Sequence, residues 1–239
     1  MSINYKISKE DQDLYIKNDY VVLENFFDSK TIEELYKTID NAPDYWWNAS
    51  TLDYKTHLAC NLPYIDDNYR NIDINKQFSL TNLASGKFCY RFDRLRSGHY
   101  DNCSCNICKF DKILSSKILL DFCKKFTQNS EIGFVKLEPF YSRYRSEDFL
   151  ALHTDAVTKL NGQPRKIAVV IHLTKDWLPW YGGNLMLLNK DSTNVKKTLT
   201  PKFNSITLMK VEEEGVPHYV DPIIKHLVGK NRYAISMWY

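Results

Sequence analysis

The chain of 239 residues has no run of 18 consecutive apolar residues, so nothing in it is long and apolar enough to cross a bilayer as a helix. Its opening stretch, MSINYKISKEDQDL, lacks the apolar core of a secretion signal. A cytoplasmic protein with no membrane partner is the expectation. An excess of charge of either sign is also lacking: 32 Lys and Arg stand against 29 Asp and Glu, giving a net charge of +3, and no basic block of five appears. No nucleic-acid partner is therefore implied. Six cysteines, at positions 60, 89, 103, 105, 108 and 123, are too few and too unevenly spaced to staple a chain of this length, which suits a reducing compartment. Internal repeats and low-complexity segments are absent, and the length suits one domain with a full core.

What is present divides into two textures. Residues 1–130 read as a helical support with substrate-side loops. Ser8 followed by Asp11 resembles a helix N-cap, DYVVLENFF is a short strand candidate, and DSKTIEELYKTID places Ile32, Leu35, Tyr36 and Ile39 at helical spacing. From 41 to 85 the pattern weakens into aromatics, Asn, Asp and Pro without a clear period, which predicts loops with short elements. KFCYRFDRL reads as a strand and SSKILLDFCKKFTQ as an amphipathic helix. From 131 to 239 the chain is a train of strands: EIGFVKLEPFYSRYR, DFLALHTD, RKIAVVIHLTKDW, GNLMLLN, NSITLMKV, HYVDPII and RYAISMWY. Seven or more strands with short turns, preceded by a helical layer, predict a mainly β sandwich or barrel with helices on one side.

FLALHTDAV sets an imidazole and a carboxylate two residues apart in an apolar run. On a regular strand His153 and Asp155 share a face, and a third donor follows at His218 in the strand candidate HYVDPII. Two His and one carboxylate on one face of an octahedral ion leave three positions open, which suits non-haem Fe(II). Arg232 in RYAISMWY shares a strand face with Ala234 and Ser236. A guanidinium fork and a hydroxyl facing inward are suited to gripping a carboxylate.

The order H-T-D, H, R-x-A-x-S resembles the 2-oxoglutarate and Fe(II)-dependent oxygenases, and within them the prolyl-hydroxylase branch. RYRSEDFLALHTD from Arg143 to Asp155 is similar to that branch's R-Y-x-x-G-D-x-L-x-x-H-x-D, and GGNL, FNSITLM, HYVDPI and RYAISMWY follow in the family's order. The resemblance covers roughly residues 131–239 and implies a distorted double-stranded β-helix of the jelly-roll or cupin type. It implies Fe(II) on His153, Asp155 and His218, and 2-oxoglutarate chelating that iron, with its far carboxylate on Arg232 near Tyr144. It also implies O2 as the third reactant, hydroxylation of an unactivated C–H bond, and succinate and CO2 as coproducts. The carboxylate of Asp155 favours hydroxylation, because related halogenases open a chloride position by lacking it. Three residues depart from the pattern: Glu147 for the usual Gly predicts a different turn, Ala234 for Ser leaves the hydroxyl contact to 2-oxoglutarate either lost or supplied by Ser236, and Met237 for Gly affects packing.

The substrate class this resemblance implies is an amino acid, an amino-acid-derived metabolite or a peptidyl residue such as proline, either small molecule or peptide. The segment from about 41 to 110 is the expected source of selectivity, with Arg91 and Arg94 of YRFDRLR as candidate clamps for a substrate carboxylate. His99, Cys103, Cys105 and Cys108 could form a closed zinc site, but C-x-C-x-x-C is tighter than paired zinc spacing, and reduced thiols in a loop are the preferred reading. Trp177, Trp180 and Tyr181 read as packing residues, and His57, His172 and His226 as surface or satisfied core residues. The alternatives to an oxygenase are a non-catalytic double-stranded β-helix acting as a binding module and a zinc hydrolase on the same ligands. Oligomeric state is left open.

Overall fold

Alternating burial along the strands of the C-terminal half sets the architecture. The computed structural model describes residues 3–95, 105–135, 139–156, 164–211, 214–227 and 229–239. In chain order the first elements are α1 (Lys9–Asn18), β1 (Tyr20–Glu24), α2 (Ser29–Asp40), β2 (Trp47–Leu52), β3 (Ala59–Pro63) and α3 (Tyr69–Ala84). There follow β4 (Tyr90–Leu95), α4 (Asn106–Leu114), α5 (Lys117–Thr127), β5 (Phe140–Tyr144) and β6 (Phe149–His153). The last are β7 (Ile167–His172), β8 (Leu185–Leu188), β9 (Val195–Leu199), β10 (Ser205–Lys210), β11 (His218–Val220) and β12 (Arg232–Trp238).

Every strand neighbour is antiparallel. A large wall runs β3-β2-β4-β5-β12-β7-β10-β1, and a small wall runs β6-β11-β8-β9. β4 joins them: Asp93 and Arg94 pair with β5, while Tyr90 and Arg91 pair with β6. The sheet thus curls into a half-barrel, the double-stranded β-helix that the resemblance implies.

The two faces of the large wall do different work. Outward go Val21 and Leu23 of β1, Val169 and Ile171 of β7, Ile206 and Leu208 of β10 and Tyr233 and Ile235 of β12, forming one cluster with Ile32, Leu35 and Ile39 of α2 and the apolar sides of α4 and α5. Each such side chain contributes about 1.5–3 kcal/mol on burial, so this layer is the main thermodynamic anchor of the sheet. Inward go the residues in between, and among them Val170 of β7 and Arg232, Ala234, Ser236 and Trp238 of β12 line the cavity described below.

The caps follow the sequence. Ser8 Oγ accepts from Asp11 N at the start of α1 and Asp28 Oδ1 from Thr31 N at the start of α2. Asn204 of the FNSITLM segment bonds both the N–H and the C=O of Phe27, at 2.9 Å each, and so ties the turn before β10 to the chain after β1.

Between 41 and 85 the structure departs from the expected loops. β2 and β3 form a hairpin, and α3 is a 16-residue helix. Its buried positions are Ile72, Asn75, Lys76, Ser79 and Asn82, which keep helical spacing but are mostly polar. A search for apolar periodicity passes over such a helix. The fully outward β9, VKKTL, escapes the same search because it is an edge strand bearing lysines.

Candidate metal centre and its pocket

β6 and β11 are neighbours, and their register sets His153 directly opposite His218. The two rings are 4.2 Å apart between centroids. Asp155 is not on the strand, as an extended reading of HTD would have it. β6 ends at His153, and Asp155 sits in the bend that follows, with its oxygens 4.0 Å from His153 Nε2 and 3.7 Å from His218 Nε2. Among the described residues this is the only group of His, Cys, Asp and Glu whose donor atoms converge, all within 4.8 Å.

The remaining ring nitrogens are already committed. His153 Nδ1 donates to the carbonyl of Ala151 at 2.9 Å, and His218 Nδ1 to that of Val216 at 2.8 Å. Both bonds fix the tautomer that leaves the Nε2 lone pair toward Asp155, the arrangement by which second-sphere carbonyls orient metal-binding imidazoles. Burial, and then the neighbouring His218 ring, push the pKa of His153 down to about 4 against the pull of Asp155. Its ring is a neutral ligand at neutral pH. Two imidazole nitrogens and a carboxylate, with open space beside them, fit a divalent cation.

That space is a cavity of about 130 Å³ between the two walls. It is smaller than the roughly 300–1,000 Å³ that encloses drug-sized ligands, so it has room for a small acid and not for a peptide. Arg232, Ala234, Ser236 and Trp238 line it from β12, and Phe140, Ser142 and Tyr144 from β5. The shared face expected for Arg232, Ala234 and Ser236 is therefore present. Arg232 is 2% exposed, its guanidinium lies 4.7 Å over the ring of Tyr144, its Nε has no hydrogen-bond partner, and no carboxylate within ion-pair distance is found among the described residues. Burial pulls its pKa down while Tyr144 and Asp221 oppose. Burial also raises Tyr144 to about 12, so its hydroxyl stays protonated.

The GGNL turn holds this end of the cavity. Gly182 has φ +73°, and a Cβ there would fall 2.1 Å from the carbonyl oxygen of Pro222; Gly183 has φ +66°, and a Cβ there would meet Arg232 Cδ at 3.0 Å. Only glycine permits both the left-handed backbone and that approach. Asn184 fastens the turn to Asp221 through its backbone N–H and its amide.

The remaining sequence candidates are placed as follows. Glu147 takes a left-handed conformation, φ +65°, and its carboxylate lies 3.8 Å from Arg91. Arg91 does not line the cavity: its Nε donates to Asp148 at 2.9 Å and its NH2 to the carbonyl of Ser146 at 3.3 Å, on the far side of β4. Arg94, three residues on, faces the other way, with its guanidinium 4.4 Å over the ring of Phe140. Strand parity separates these two arginines. Of the zinc candidates, His99 and Cys103 lie outside the described residues, whereas Cys105 is the N-cap of α4 and accepts from Cys108 N.

Residues passed over in the sequence also meet here. Arg165 approaches Asp155 Oδ1 at 3.9 Å and stacks 4.3 Å over Trp238, and the half-exposed ring of Phe88 is 6.2 Å from that of His153. The available signal was position, since Arg165 opens the apolar run KIAVVIH just after the H-x-D loop.

Residues 140–239, which hold the whole triad and Arg232, match the family model described as the 2OG-Fe(II) oxygenase superfamily. The match spans 100 of the 239 residues, and this part of the chain is similar to that superfamily. It supports an oxygenase, and that family implies Fe(II), 2-oxoglutarate and O2 as cofactor and cosubstrates. No curated protein matches the oxygenase in sequence. Among solved structures it is similar to a prolyl hydroxylase from Trichoplax adhaerens in complex with a hypoxia inducible factor peptide fragment, at TM-score 0.62 and 20% identity over 96% of this chain and 86% of that one. It is similar to a prolyl-4-hydroxylase from Pseudomonas putida, at TM-score 0.57 and 15% identity over 100% and 94%. It is also similar to HygX from Streptomyces hygroscopicus with nickel, 2-oxoglutarate and hygromycin B bound, at TM-score 0.52 and 11% identity over 96% and 85%. At these identities the likeness is one of fold. No helix among the described residues is long and apolar enough to cross a membrane.

Proposed function

We propose that this oxygenase hydroxylates an unactivated C–H bond of an amino acid, an amino-acid-derived metabolite or a peptidyl residue such as proline, with succinate and CO2 as coproducts. His153, Asp155 and His218 would hold Fe(II), and Arg232 would bind the far carboxylate of 2-oxoglutarate, with the hydroxyls of Tyr144 and Ser236 on the same wall. Bound iron supplies the activation of dioxygen, coupled to oxidation of the 2-oxo acid. The chain's own part is to orient two imidazoles through Ala151 and Val216, to keep water from the cavity with Phe92, Leu150 and Val220, and to hold a carboxylate at a fixed place.

The observation that carries this reading is Arg232, a buried cation without an ion-pair partner on the same cavity as the triad. A buried guanidinium left unpaired costs several kcal/mol, and a diacid anchored on the metal brings the missing anion. A zinc hydrolase needs no such residue. The rim fits an organic substrate lying across the mouth, where Phe88, Phe140 and Trp238 offer ring faces and Arg94 and Arg165 offer positive charge. One neighbour in fold is seen with a peptide and another with hygromycin B, which supports both peptide and small-molecule substrates on this scaffold.

The test is turnover without substrate. Protein reconstituted anaerobically with Fe(II) and then given 2-oxoglutarate and air should release succinate slowly, above an Asp155→Ala control. Equal succinate in both would favour the binding-module reading.

A further inference from the structure

Cys105, Asn106, Ile107 and Cys108 set a C-x-x-C spacing at the start of α4, and the cavity uses none of these residues. Cys105 is the N-cap, in extended conformation, and Cys108 stands three residues on in the first turn. The N–H of Cys108 donates to Cys105 Sγ at 3.5 Å, so the first sulfur is folded back over the residue that bears the second. Cα atoms three apart in a helical turn lie about 5 Å from each other, inside the roughly 4.4–6.8 Å that a disulfide spans. Side-chain rotation alone can therefore join the two. The helix holds this spacing: Ile107, Phe110 and Leu114 are buried in the outer core, and Asn106 Nδ2 donates to Thr38 Oγ1 at 2.9 Å.

The two thiols also share one neighbour. Burial first, then Asp111, and after them Cys108 and Cys105 push the Tyr141 hydroxyl well above its ordinary pKa, so both sulfurs act on a single phenol. That hydroxyl donates to Asp111 Oδ1 at 2.6 Å, and the first turn of α4 carries no acidic residue. Both thiols are reduced and partly exposed. Cys89 and Cys123 are fully buried instead, and burial raises both thiols, Cys89 to about 11, as befits inert core cysteines. Cys60 is partly exposed too, but the β2–β3 hairpin holds no second cysteine.

We infer that Cys105 and Cys108 form a reversible dithiol–disulfide couple, a modification site on the outer side of the large wall, with a low-molecular-weight disulfide as its oxidant. One cysteine, as thiolate, attacks the small disulfide; a mixed S–S bond forms, the small S–S bond breaks, and one small thiol leaves. The other cysteine then attacks the mixed disulfide, the Cys105–Cys108 bond forms, and the second small thiol leaves. Two protein thiols are oxidised by two electrons, one small disulfide is reduced, and the two protons end on the released thiols. The N–H held on Cys105 Sγ is a donor to negative sulfur during both attacks. The closed loop holds only four residues, so it gains little from loop-closure entropy, and a bond that is partly exposed is a labile one. Tyr141 stands between the cavity-lining Phe140 and Ser142, which sets the couple one residue behind the metal pocket.

The full chain, equilibrated without oxygen in glutathione buffers of stepped reduced-to-oxidised ratio, alkylated with N-ethylmaleimide and digested with trypsin, reads the couple by mass. Peptide 97–109 carries Cys103, Cys105 and Cys108, and it should pass from three labels to one as the ratio falls. Dithiothreitol added before the label should restore all three. Cys103→Ser should keep the transition, now from two labels to none. Cys105→Ser and Cys108→Ser should each abolish the two-label loss; serine at 105 still caps α4, and unchanged far-UV circular dichroism of both variants shows that they fold. Three results overturn the inference: full labelling in glutathione disulfide alone, glutathione left attached to a single cysteine in place of an internal bond, or a two-label loss that needs Cys103 or persists in either α4 variant.

Discussion

Strand β4 carries two buried charge groups on its opposite faces, and they are built on opposite rules. Beneath α3 lie Asp93 and Asp148, both fully buried. Asp93 accepts from Tyr64, Arg143 and Arg145 and has Lys76 at 3.6 Å; Asp148 accepts from Arg91 and from the backbone of Arg145. Burial pushes the Asp93 carboxyl up, but Lys76, Arg145 and Arg143 outweigh it and hold it below the ordinary range. Across the strand, the cavity holds Arg232 without an ion-pair partner and the three candidate metal donors facing one another, with His172 and its open nitrogen on the same wall beyond it. In the first group four cations, Lys76, Arg91, Arg143 and Arg145, meet four carboxylates, Asp93, Asp148, Asp44 and Glu147, and every cation has a carboxylate within 4.0 Å. The second is left open, and an under-satisfied buried group persists only where the rest of the fold outweighs its cost. Charge alone does not mark a site; missing partners do.

The sharpest way to break this contrast is Asp93→Asn. It removes the buried carboxylate that Arg143, Arg145 and Lys76 share, leaving the first two only the half-exposed Asp44 and the third only Asp148 at 3.9 Å, and denaturant unfolding should show a loss of about 3–5 kcal/mol, while metal affinity of the folded protein stays unchanged. A comparable loss of metal affinity would mean that the two groups are one. The matching change in the open group is Arg232→Met, which removes a buried cation with no ion pair; apo-protein stability should stay equal or rise by about 1–2 kcal/mol, while 2-oxoglutarate binding is lost. A clear fall in apo stability would show that Arg232 is satisfied after all. The smallest effect is one of pH. The pKa of His172 is pushed down to about 3, by burial first and then by Arg232, from an ordinary 6.5. Its folded-state value lies below its unfolded value, so the stability it contributes is present above pH 6.5 and is lost as pH falls toward 3. Between pH 6.5 and 5, His172→Phe should flatten the decline in unfolding free energy by at most about 1–2 kcal/mol, and an unchanged slope would show that the ring is not held neutral.

The legibility of the chain followed the same division. Ile32, Leu35 and Ile39 announced α2 because their face meets the apolar outer side of the sheet. Asn75, Lys76, Ser79 and Asn82 have similar spacing on α3 but meet the charged underside of β4, and the helix went unread. The candidate metal donors were legible because His153, Asp155 and His218 are chemically distinctive and stand in a characteristic order. Arg91 and Arg94 looked alike as clamps, yet an odd spacing on a strand sends them to opposite faces. His172 and Arg165 had no local pattern, since each gains its meaning from a strand or loop far away in sequence.

By itself the sequence determined the strand train, the caps of α1 and α2, and the residue types able to hold a divalent ion and a diacid. These are local properties, set by periodicity, side-chain chemistry and the conformational freedom of Gly182 and Gly183. Only the tertiary structure decided which polar groups would be saturated and which left waiting. Whether a buried charge finds a partner depends on what the curl of the sheet brings across from another strand, and no single segment carries that information.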